Sequence, residues 1–348
     1  MTEIIYTTDP VEGLDKVLNG IDYDRLFVIT DSNLKNILFE RRPDIGSYLE
    51  SRSGDIITFP EGECNKNIST VCDLWTLLSE RGASRKSVVI NLGGGVTTDM
   101  GGFVASTFKR GLRYVNVPTT LLSMVDASVG GKTGIDFAGL KNEVGTFAFP
   151  IATIIDTDLL KTLPSLQVLS GMGEVVKMTM LRSRQDYVSL IKDFFATDDI
   201  IRKCVEWKKE ITEADPNETG LRKLLNFGHT AGHAFESILT ERGTNDVSHG
   251  MCVAHGIMVA LLLSRFLMGF PSERIYEYKT NILSHYRMLP ISCKDRELIV
   301  DKITHDKKNS AGCMRFVLLK DIAAPEYDVP VSRDDLESAL DVYLMNEF

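Results

Sequence analysis

Positive charge, paired cysteines and a targeting segment are all scarce or missing in this 348-residue chain. Its 39 lysines and arginines stand against 48 aspartates and glutamates, and the net charge of −9 argues against a nucleic-acid partner, because phosphate backbones attract basic surfaces. The six cysteines form no C-x-x-C pair, which favours free thiols in a reducing cytoplasm over disulfides or a zinc knuckle. No cationic segment followed by an apolar one begins the sequence, so we expect a cytoplasmic protein without a secretory signal.

Long hydrophobic runs, repeats and low-complexity tracts are also rare. The most apolar stretch, residues 253–270, contains His255 and Arg265 and therefore predicts a buried helix and no membrane association. With 43% hydrophobic and 25% charged residues, the composition is typical of a soluble globular protein. A chain of this length exceeds one ordinary hydrophobic core, so we expect two domains.

Short β-rich runs alternate with glycine-rich or helical stretches through the first 160 residues or so. The predicted buried strands are residues 26–30, 55–59, 87–91, 114–117 and 152–155. This alternation is typical of an α/β domain with a Rossmann-like, mostly parallel sheet. A mainly α-helical domain follows, in which the predicted helices are residues 166–182, 187–195, 200–211 and 251–267. We therefore place the domains at residues 1–160 and 161–348, with one late strand at 315–319.

A glycine-rich segment, residues 91–99, follows the third predicted strand and precedes a predicted helix at 99–107. Glycines in such a position let the backbone approach a phosphate, and the helix N-terminus supplies N–H donors. The segment lacks the G-x-G-x-x-G spacing, and Asp31 ends an earlier strand, whereas the standard unit has its acidic residue after the loop. Two interpretations remain open, a variant nucleotide-binding loop and a tight strand-to-helix turn.

Two other familiar motifs are incomplete in this sequence. Residues 130–133, Gly-Gly-Lys-Thr, resemble the end of a P-loop, but Asp126 stands where that motif needs a glycine. His229 and His233 have the spacing of the H-E-x-x-H metalloproteases, but position 230 is a threonine and not the catalytic glutamate. We therefore predict neither a P-loop nucleotidase nor a protease of that type.

Half of the chain's six histidines lie within residues 229–249. Clustered imidazoles with an acidic partner are typical of a divalent metal site, and Glu174, in a helical pattern upstream, can be that partner. Glu174, His229 and His249 would form a three-ligand site that leaves a position for substrate or water, as catalytic sites do and closed structural sites do not. The histidines outside this segment are expected to be structural or on the surface; they are His255, His285 and His305.

Together these segments resemble the 3-dehydroquinate synthase family, and the likeness runs from about Asn91 to Val317. Each motif alone is a weak signal, but so many in the family's order are specific. The matching motifs are residues 93–103, 109–111, 117–122, 125–134, 140–142, 171–177, 220–230, 249–250 and 306–308.

The resemblance implies an enzyme that binds NAD and one divalent metal, Zn²⁺ or Co²⁺, and works as a homodimer. Members of the family convert 3-deoxy-D-arabino-heptulosonate 7-phosphate into 3-dehydroquinate and phosphate in the shikimate pathway to aromatic amino acids. They oxidise a ring hydroxyl with NAD, eliminate phosphate, reduce the ketone, open the ring and close a carbocycle by aldol addition. This cycle needs a metal to lower the pKa of a substrate hydroxyl, and it needs cations to neutralise a phosphate and a carboxylate.

The same resemblance implies the residues that bind metal and substrate. Glu174, His229 and His249 would hold the metal. Residues implied to meet the substrate phosphate are Lys132, Lys141, Asn142, Lys307 (favoured over Lys308) and Arg110, which would come from the partner subunit. Residues implied to meet the carboxylate and ring hydroxyls are Lys208, Arg222, Asn226 and His233. The implied catalytic set is Asp126, Lys132, Lys208, Arg222, Asn226 and His233.

The resemblance also implies a cofactor-binding set in the first domain. Asp126 would lie between cofactor and substrate and could hydrogen-bond the reacting hydroxyl. The residues implied to face NAD are Asp31, Asn33, Glu63, Lys66, Gly94, Gly95, Val96, Asp99, Thr119, Thr120, Asp126 and Lys141.

Three other interpretations compete with this one. Another sugar phosphate cyclase, acting on sedoheptulose 7-phosphate or glucose 6-phosphate, would not need the carboxylate-binding set, which is present here. A metal-dependent alcohol or polyol dehydrogenase would consume NAD stoichiometrically and would have no use for so many cations facing a phosphate. A non-catalytic nucleotide-binding protein would have lost ligands, and none is lost in this sequence.

Overall fold

The chain divides into two compact units, Met1–Leu163 and Pro164–Phe348. A computed structural model describes residues 2–244, 247–304 and 314–346, apart from the side chains of residues 38 and 39. The first unit is built on a parallel sheet and the second is mainly helical, so the predicted fold class is confirmed.

Six strands of the first unit, as far as the structure describes it, form one sheet in which every pairing is parallel. Their order across the sheet is β1-β8-β5-β4-β2-β3. The strands are β1 (Glu3–Tyr6), β2 (Leu26–Asp31), β3 (Asp55–Phe59), β4 (Val88–Gly93), β5 (Arg113–Pro118) and β8 (Ala152–Ile155). Five of these strands fall where the apolar β-rich runs predict them; β1, which is only partly buried, carries too weak a pattern to be predicted.

Helices of the first unit connect these strands. They are α1 (Pro10–Asn19), α2 (Ser32–Arg41), α3 (Pro43–Ser51), α4 (Ile68–Glu80) and α5 (Gly95–Thr107). Side chains of α4 and α5, such as Leu74 and Val104, pack in one apolar core with strand residues such as Ile29 and Val89. Helix α5 begins four residues earlier than predicted, because its first turn consists of a glycine-led segment that has no helical signature.

The order of the strands creates a crevice at one edge of the sheet. From the adjacent pair β2 and β4, the chain continues outwards to β3 on one side and to β5 on the other. In open parallel sheets such a reversal leaves a ligand-binding crevice at the carboxyl ends of the strands. Asp31 ends β2 and the glycine loop follows β4, so both lie at this position.

A separate antiparallel hairpin, β6 (Lys132–Phe137) and β7 (Leu140–Phe147), lies between β5 and β8 in the chain. The sequence analysis does not predict it. Strand β7 is largely exposed and strand β6 has three consecutive buried residues, so neither strand shows the alternation that identifies a half-buried strand. Because the Gly-Gly-Lys-Thr segment leads into strand β6 and not into a helix, the structure also gives no support to a P-loop.

The second unit contains a helical assembly and an antiparallel ribbon. The helices are α6 (Ser165–Arg182), α7 (Arg184–Asp193), α8 (Asp198–Ala214), α9 (His229–Glu241), α10 (His249–Met268), α11 (Ser272–Asn281), α12 (Arg296–Thr304) and α13 (Arg333–Met345). The ribbon pairs β9 (Met314–Leu319) with β10 (Pro325–Val331), and only β9 is predicted. Helix α7 ends two residues before the predicted position, because Phe194 adopts a left-handed conformation with φ 44°.

Helix α10 is the centre of the second unit and packs against α6, α9, α11, α13 and β9. It is long and apolar enough to cross a membrane by length and composition alone. Every residue from Gly250 to Ser264 is nevertheless buried within the unit, as predicted for a core helix. The Ser248 side chain caps its first turn, and Gly269, with φ 74°, ends it in a left-handed turn.

His255 joins α10 to two other parts of the second unit. Its Nε2 lies 3.0 Å from the Arg287 carbonyl oxygen, which can only accept, so Nε2–H is the donor. Its Nδ1 therefore accepts from the Tyr343 hydroxyl at 2.7 Å, and the ring is neutral. Burial, only partly offset by the Arg287 carbonyl, lowers the pKa of His255 to about 4.

This buried neutral histidine is expected to destabilise the fold in acid. Below pH 6.5 His255 is protonated in the unfolded chain, whereas in the folded protein it stays neutral down to about pH 4. The free energy of unfolding therefore falls as the pH falls through this range. The loss is about 2 kcal/mol between pH 7.5 and pH 5. We expect His255→Leu to be less stable at pH 7.5 but to lose less on acidification, as measured by urea unfolding at both pH values. Equal acid losses in the variant and the wild type would contradict this account.

Candidate functional site

Glu174 and three histidines converge at one place in the second unit. Glu174 lies in α6, His229 begins α9 and His249 begins α10. Glu174 Oε1 is 3.4 Å from His229 Nε2 and 3.7 Å from His249 Nε2. The three predicted metal ligands therefore face one another, although they come from three different helices.

His233, one turn after His229 on α9, joins the same cluster. Each of the three rings places one nitrogen within 4.8 Å of a nitrogen of the other two; the residues are His229, His233 and His249. The three rings also contact one another pairwise, with centroids 5.1 to 5.8 Å apart. The sequence analysis assigns His233 to the substrate, and its position beside the proposed ligands suits either a metal or a metal-bound group.

The carboxylate of Glu174 is completely buried, and within the described part of the chain neither oxygen accepts a hydrogen bond. The ammonium of Lys177, one turn later on α6 and equally buried, forms an ion pair with Oε2. Burial alone would raise the pKa of this carboxyl, but Lys177 and His249 outweigh it and hold the pKa at about 2. A buried, ionised oxygen that faces imidazole nitrogens fits a divalent cation.

The two proposed histidine ligands have different outer partners. His229 Nδ1 lies 3.1 Å from the Phe227 carbonyl oxygen, so Nδ1–H donates and Nε2 is left to face Glu174. Burial, reinforced by the charge of Lys177, lowers the pKa of His229 well below 6.5, which keeps the ring neutral. His229 is therefore in the form that binds a metal.

His249 lies between two carboxylates. Its Nδ1 is 3.1 Å from Glu236 Oε2, and its Nε2 faces Glu174. Burial would lower the pKa of His249, but Glu236 and Glu174 outweigh it and raise the pKa to about 10. Without a cation the ring therefore carries a proton on the side of Glu174, and binding of a metal at that nitrogen must release it.

Glycines bring the three helices close enough for this convergence. A Cβ atom at Gly250 would overlap the backbone of Ser170 in α6, and one at Gly173 would overlap the backbone of Gly250. Between α9 and α10, a Cβ atom at Gly256 would overlap the carbonyl oxygen of Gly228. Gly228, just before His229, has a backbone φ of 76°, which residues with a Cβ atom rarely adopt.

The residues predicted to bind a substrate carboxylate also belong to the second unit. Arg222 and Asn226 lie in a 3₁₀ turn, Leu221–Asn226, and Lys208 lies in α8. Arg222 is 2% exposed and its guanidinium donates to the Pro216 carbonyl oxygen at 2.8 Å. Asn226 donates to Glu218 Oε1 at 2.6 Å. Burial of two cations, Arg222 and Lys208, in one unit is costly unless anionic groups neutralise them.

Asp215 organises the segment that carries Arg222. Its carboxylate accepts from the backbone N–H groups of Thr219, Gly220 and Arg222 at 3.0, 2.7 and 3.0 Å. These hydrogen bonds outweigh the effect of burial and lower the pKa of Asp215 to about 2. The turn is therefore fixed by one carboxylate before any ligand binds.

In the first unit, the glycine-rich loop, residues 91–99, leaves the backbone N–H groups at the start of α5 without a side-chain cap. Gly94 is the N-terminal cap of that helix, and no side chain caps it. A Cβ atom at Gly95 would have ordinary contact with Ala127 at 3.7 Å, so the absence of a side chain there is not explained by crowding. An uncapped helix N-terminus at the carboxyl edge of a parallel sheet suits a diphosphate.

A buried lysine links the predicted cofactor residues to the hairpin. Lys66 Nζ lies 2.7 Å from Asp99 Oδ2 in α5 and 2.6 Å from Asn142 Oδ1 in β7. Burial opposes the charge of Lys66, but Asp99 and Glu63 outweigh it and raise its pKa. Lys141, next to Asn142, lies 3.5 Å from Glu63 Oε1. The structure thus brings these five predicted residues together.

The other predicted residues of the first unit are more dispersed. Asp31 accepts from the Leu34 N–H at 2.7 Å and so caps α2, which contains the exposed Asn33. Thr119 and Thr120 follow β5, beside the glycine loop, and the Thr119 N–H donates to the Gly93 carbonyl oxygen at 3.0 Å. Val96 is partly buried in the first turn of α5, Asp126 lies in the turn after β5, and Lys132 and Arg110 are exposed. Lys307 and Lys308 lie outside the described residues.

Three further residues of the second unit have positions that the sequence analysis misses. Lys177 lies within a matched motif, but only its distance to Glu174 assigns it a role. Glu236 and Asp215 carry no motif of their own. Glu236 follows His233 by three positions on a helix, and this spacing is the one signal that could have placed it on the same face.

The fold matches those of two solved synthase structures. A 2-deoxy-scyllo-inosose synthase in complex with carbaglucose-6-phosphate, NAD⁺ and Co²⁺ matches it with a TM-score of 0.85 at 23% identity, over 97% of this chain and 95% of the other. A 2-epi-5-epi-valiolone synthase from Streptomyces hygroscopicus subsp. jinggangensis 5008, with NAD⁺ and Zn²⁺ bound, matches with a TM-score of 0.86 at 22% identity, over 99% and 97%. At these identities the comparison shows the fold and not the reaction.

The sequence comparisons are more specific. Residues 56–170 match the family 3-dehydroquinate synthase N-terminal, and residues 171–309 match 3-dehydroquinate synthase C-terminal. A 3-dehydroquinate synthase of Parabacteroides distasonis is 40% identical over 347 residues, which cover 98% of this chain and 97% of that relative. The chain therefore belongs to the 3-dehydroquinate synthase family, and the resemblance is confirmed.

We expect Gly250→Ala to separate α6 from α10, because the new methyl group would overlap the Ser170 backbone. Overpacking of this kind costs up to about 3 kcal/mol, and it would also move Glu174 away from His249. Thermal unfolding and the zinc content after dialysis measure the two effects. Gly20→Ala is the control, because a methyl group there meets nothing nearer than 3.4 Å. Wild-type zinc content in Gly250→Ala would show that this contact does not set the site.

Proposed function

We propose that the chain converts 3-deoxy-D-arabino-heptulosonate 7-phosphate into 3-dehydroquinate and phosphate, with NAD as a catalytic cofactor and one divalent metal, Zn²⁺ or Co²⁺. The observation that carries the proposal is the convergence of Glu174, His229 and His249 in a chain that belongs to the 3-dehydroquinate synthase family. Within this proposal, residues 1–160 bind NAD and residues 161–348 bind metal and substrate.

The metal would be held by Glu174 and by the Nε2 atoms of His229 and His249. When bound, it would lower the pKa of a substrate hydroxyl. Lys177 already neutralises Glu174, and His229 is neutral, so the charge of the dication remains available to an anionic ligand. His233, at the edge of the cluster, would then donate to or accept from the substrate hydroxyls.

Substrate recognition depends on buried cations in the second unit. Arg222 and Lys208 would neutralise the carboxylate, which only the heptulosonate among the competing sugar phosphates carries. Because Asp215 fixes the turn and the Pro216 carbonyl holds the guanidinium, Arg222 is positioned in advance. Asn226, held by Glu218, would bind a ring hydroxyl.

NAD would occupy the crevice of the first unit. It would supply a hydride acceptor that is regenerated within each cycle. The backbone of Gly94, Gly95 and Val96 would meet the diphosphate at the N-terminus of α5. The larger set proposed to surround the cofactor is Asp31, Asn33, Glu63, Lys66, Asp99, Thr119, Thr120, Asp126 and Lys141, of which Glu63, Lys66, Asp99 and Lys141 form the polar cluster described above.

The phosphate end of the substrate would be held by a separate group of cations. The proposed residues are Lys132, Lys141 and Asn142 of the hairpin, Lys307, and Arg110 supplied by a second copy of the chain. The exposed position of Arg110, at the end of a short turn with φ 72°, is compatible with such a role. Asp126, at the end of the turn after β5, would hydrogen-bond the reacting hydroxyl.

We also propose that the enzyme is a cytoplasmic homodimer. The described cysteines Cys64, Cys72, Cys204, Cys252 and Cys293 are free thiols, as suits a reducing compartment. Exposed apolar side chains of the β6–β7 hairpin, such as Leu140 and Phe147, offer a surface that a second copy could cover. Size-exclusion chromatography with light scattering tests this, and a monomer at all concentrations would refute the dimer.

The reaction itself can be tested with purified protein, the heptulosonate phosphate, Zn²⁺ and a small amount of NAD. We expect the released phosphate to exceed the NAD added, without net formation of NADH, because the hydride returns to the substrate. Chelation should abolish turnover, and Zn²⁺ or Co²⁺ should restore it. Stoichiometric NADH would instead favour a dehydrogenase, and turnover by fully chelated protein would refute the metal assignment.

For Arg222→Gln we expect KM for the heptulosonate phosphate to rise about 10- to 100-fold, since hydrogen bonds to a charged group contribute about 1.5–3 kcal/mol. The affinity for NAD, measured by fluorescence titration, should stay within about twofold. Lys223→Gln is the matched control, because the neighbouring Lys223 pairs with Asp328 at 2.6 Å. Equal changes in KM for the two variants would argue that Arg222 has no special role in binding the carboxylate.

A further inference from the structure

Glu236 is a buried carboxylate on α9 that the proposed reaction does not use. It is 6% exposed, and its neighbours on the helix include the buried apolar residues Phe235 and Leu239. A carboxylate in such surroundings is costly unless it is paired or hydrogen-bonded. Its placement on α9, three positions after His233 and seven after His229, puts it on the helix face that carries the metal cluster.

The partner of Glu236 is the ring of His249. Glu236 Oε2 lies 3.1 Å from His249 Nδ1, and His249 Nε2 points to the other side, where it faces Glu174 Oε1 at 3.7 Å. The carboxylate therefore contacts the ring nitrogen that the metal would not use.

We propose that Glu236 is a positioning residue that fixes His249 as a metal ligand. By accepting a hydrogen bond from Nδ1–H, it holds the ring in the tautomer whose Nε2 lone pair faces the site. Its negative charge also makes the imidazole a better electron donor to a cation. This inference rests on the proposed function, since it takes Glu174, His229 and His249 as the ligands.

Comparison of the two histidines shows what Glu236 adds. His229 Nδ1 donates to a neutral backbone carbonyl, that of Phe227, at 3.1 Å. His229 is thus oriented by the chain itself, two residues away, and no side-chain substitution removes that acceptor. His249 is the first residue of α10, and its Nδ1 contacts a side chain from another helix, that of Glu236 in α9. Its orientation should therefore be sensitive to a single substitution at position 236.

Two substitutions separate the charge of Glu236 from its hydrogen bond. In Glu236→Gln the amide oxygen can still accept from Nδ1–H, but the negative charge is lost. Glu236→Leu has a similar size and removes both. Glu241→Gln is the control, because Glu241 lies on the same helix but is exposed and pairs with Lys302 at 2.7 Å.

The full chain is stripped of metal, and its Kd for Zn²⁺ is measured by competition with a chromophoric chelator; the visible spectrum of the Co²⁺-loaded protein reports ligand geometry. We expect Zn²⁺ to bind about 10-fold more weakly to Glu236→Gln and about 100-fold more weakly to Glu236→Leu, with an altered Co²⁺ spectrum in the latter. Glu241→Gln should match the wild type. Saturating metal should recover much of the turnover of Glu236→Gln, which a folding defect would not allow.

The outcomes distinguish this inference from the function on which it rests. If the wild type binds metal and both Glu236 variants bind it equally well with unchanged Co²⁺ spectra, the positioning role is wrong while the metal site stands. If the wild type binds neither ion, the metal assignment itself is wrong and the inference is overturned with it. Should Glu236→Leu fail to fold, the affinity of Glu236→Gln decides alone.

Discussion

Contact between helix backbones at glycine positions is the constraint on which the cluster of Glu174, His229, His233 and His249 depends. Helices α6, α9 and α10 approach so closely that a single methyl group at Gly250, Gly173 or Gly256 would overlap a neighbouring backbone. The residues of the cluster are next to such glycines in the sequence; the pairs are Gly173–Glu174, Gly228–His229, Gly232–His233 and His249–Gly250. Because helix backbones are rigid, the close contact between them fixes the positions of the side chains next to these glycines.

The cluster concentrates charge in a place where charge is costly. Glu174 and Lys177 are both buried and form an ion pair with each other, and Glu174 also faces His229 and His249. Buried ion pairs seldom stabilise a fold as well as apolar residues of the same size would. The apolar residues of α10, buried from Gly250 to Ser264, supply stability around the cluster instead. The second unit thus combines an apolar central helix with a polar site at that helix's first residue, His249.

The sequence predicts the elements whose own residues carry the signal. Buried strands such as β2 and β4 consist of β-branched and apolar residues, and the histidine cluster is conspicuous because histidine is rare in this chain. The β6–β7 hairpin could not be predicted, since neither strand alternates between buried and exposed residues: β7 is largely exposed, and the middle of β6 is buried. Asp215 could not be predicted, because its role lies in hydrogen bonds to backbone N–H groups four to seven residues later, and Glu236 could be placed only by its spacing from His233.

The fold alone would not identify the substrate, because a 2-deoxy-scyllo-inosose synthase and a 2-epi-5-epi-valiolone synthase share it at 22–23% identity. Under the proposed function, the residues that distinguish the substrate carboxylate lie in the Arg222 turn, apart from the proposed metal ligands. Asp215 binds three backbone N–H groups and thereby fixes the turn that presents Arg222, whereas Glu174 and the histidines depend on the glycine contacts between helices. The Arg222 turn and the histidine cluster are thus held by separate sets of contacts, so under the proposed function substitutions around the turn would change substrate preference without moving the proposed metal ligands.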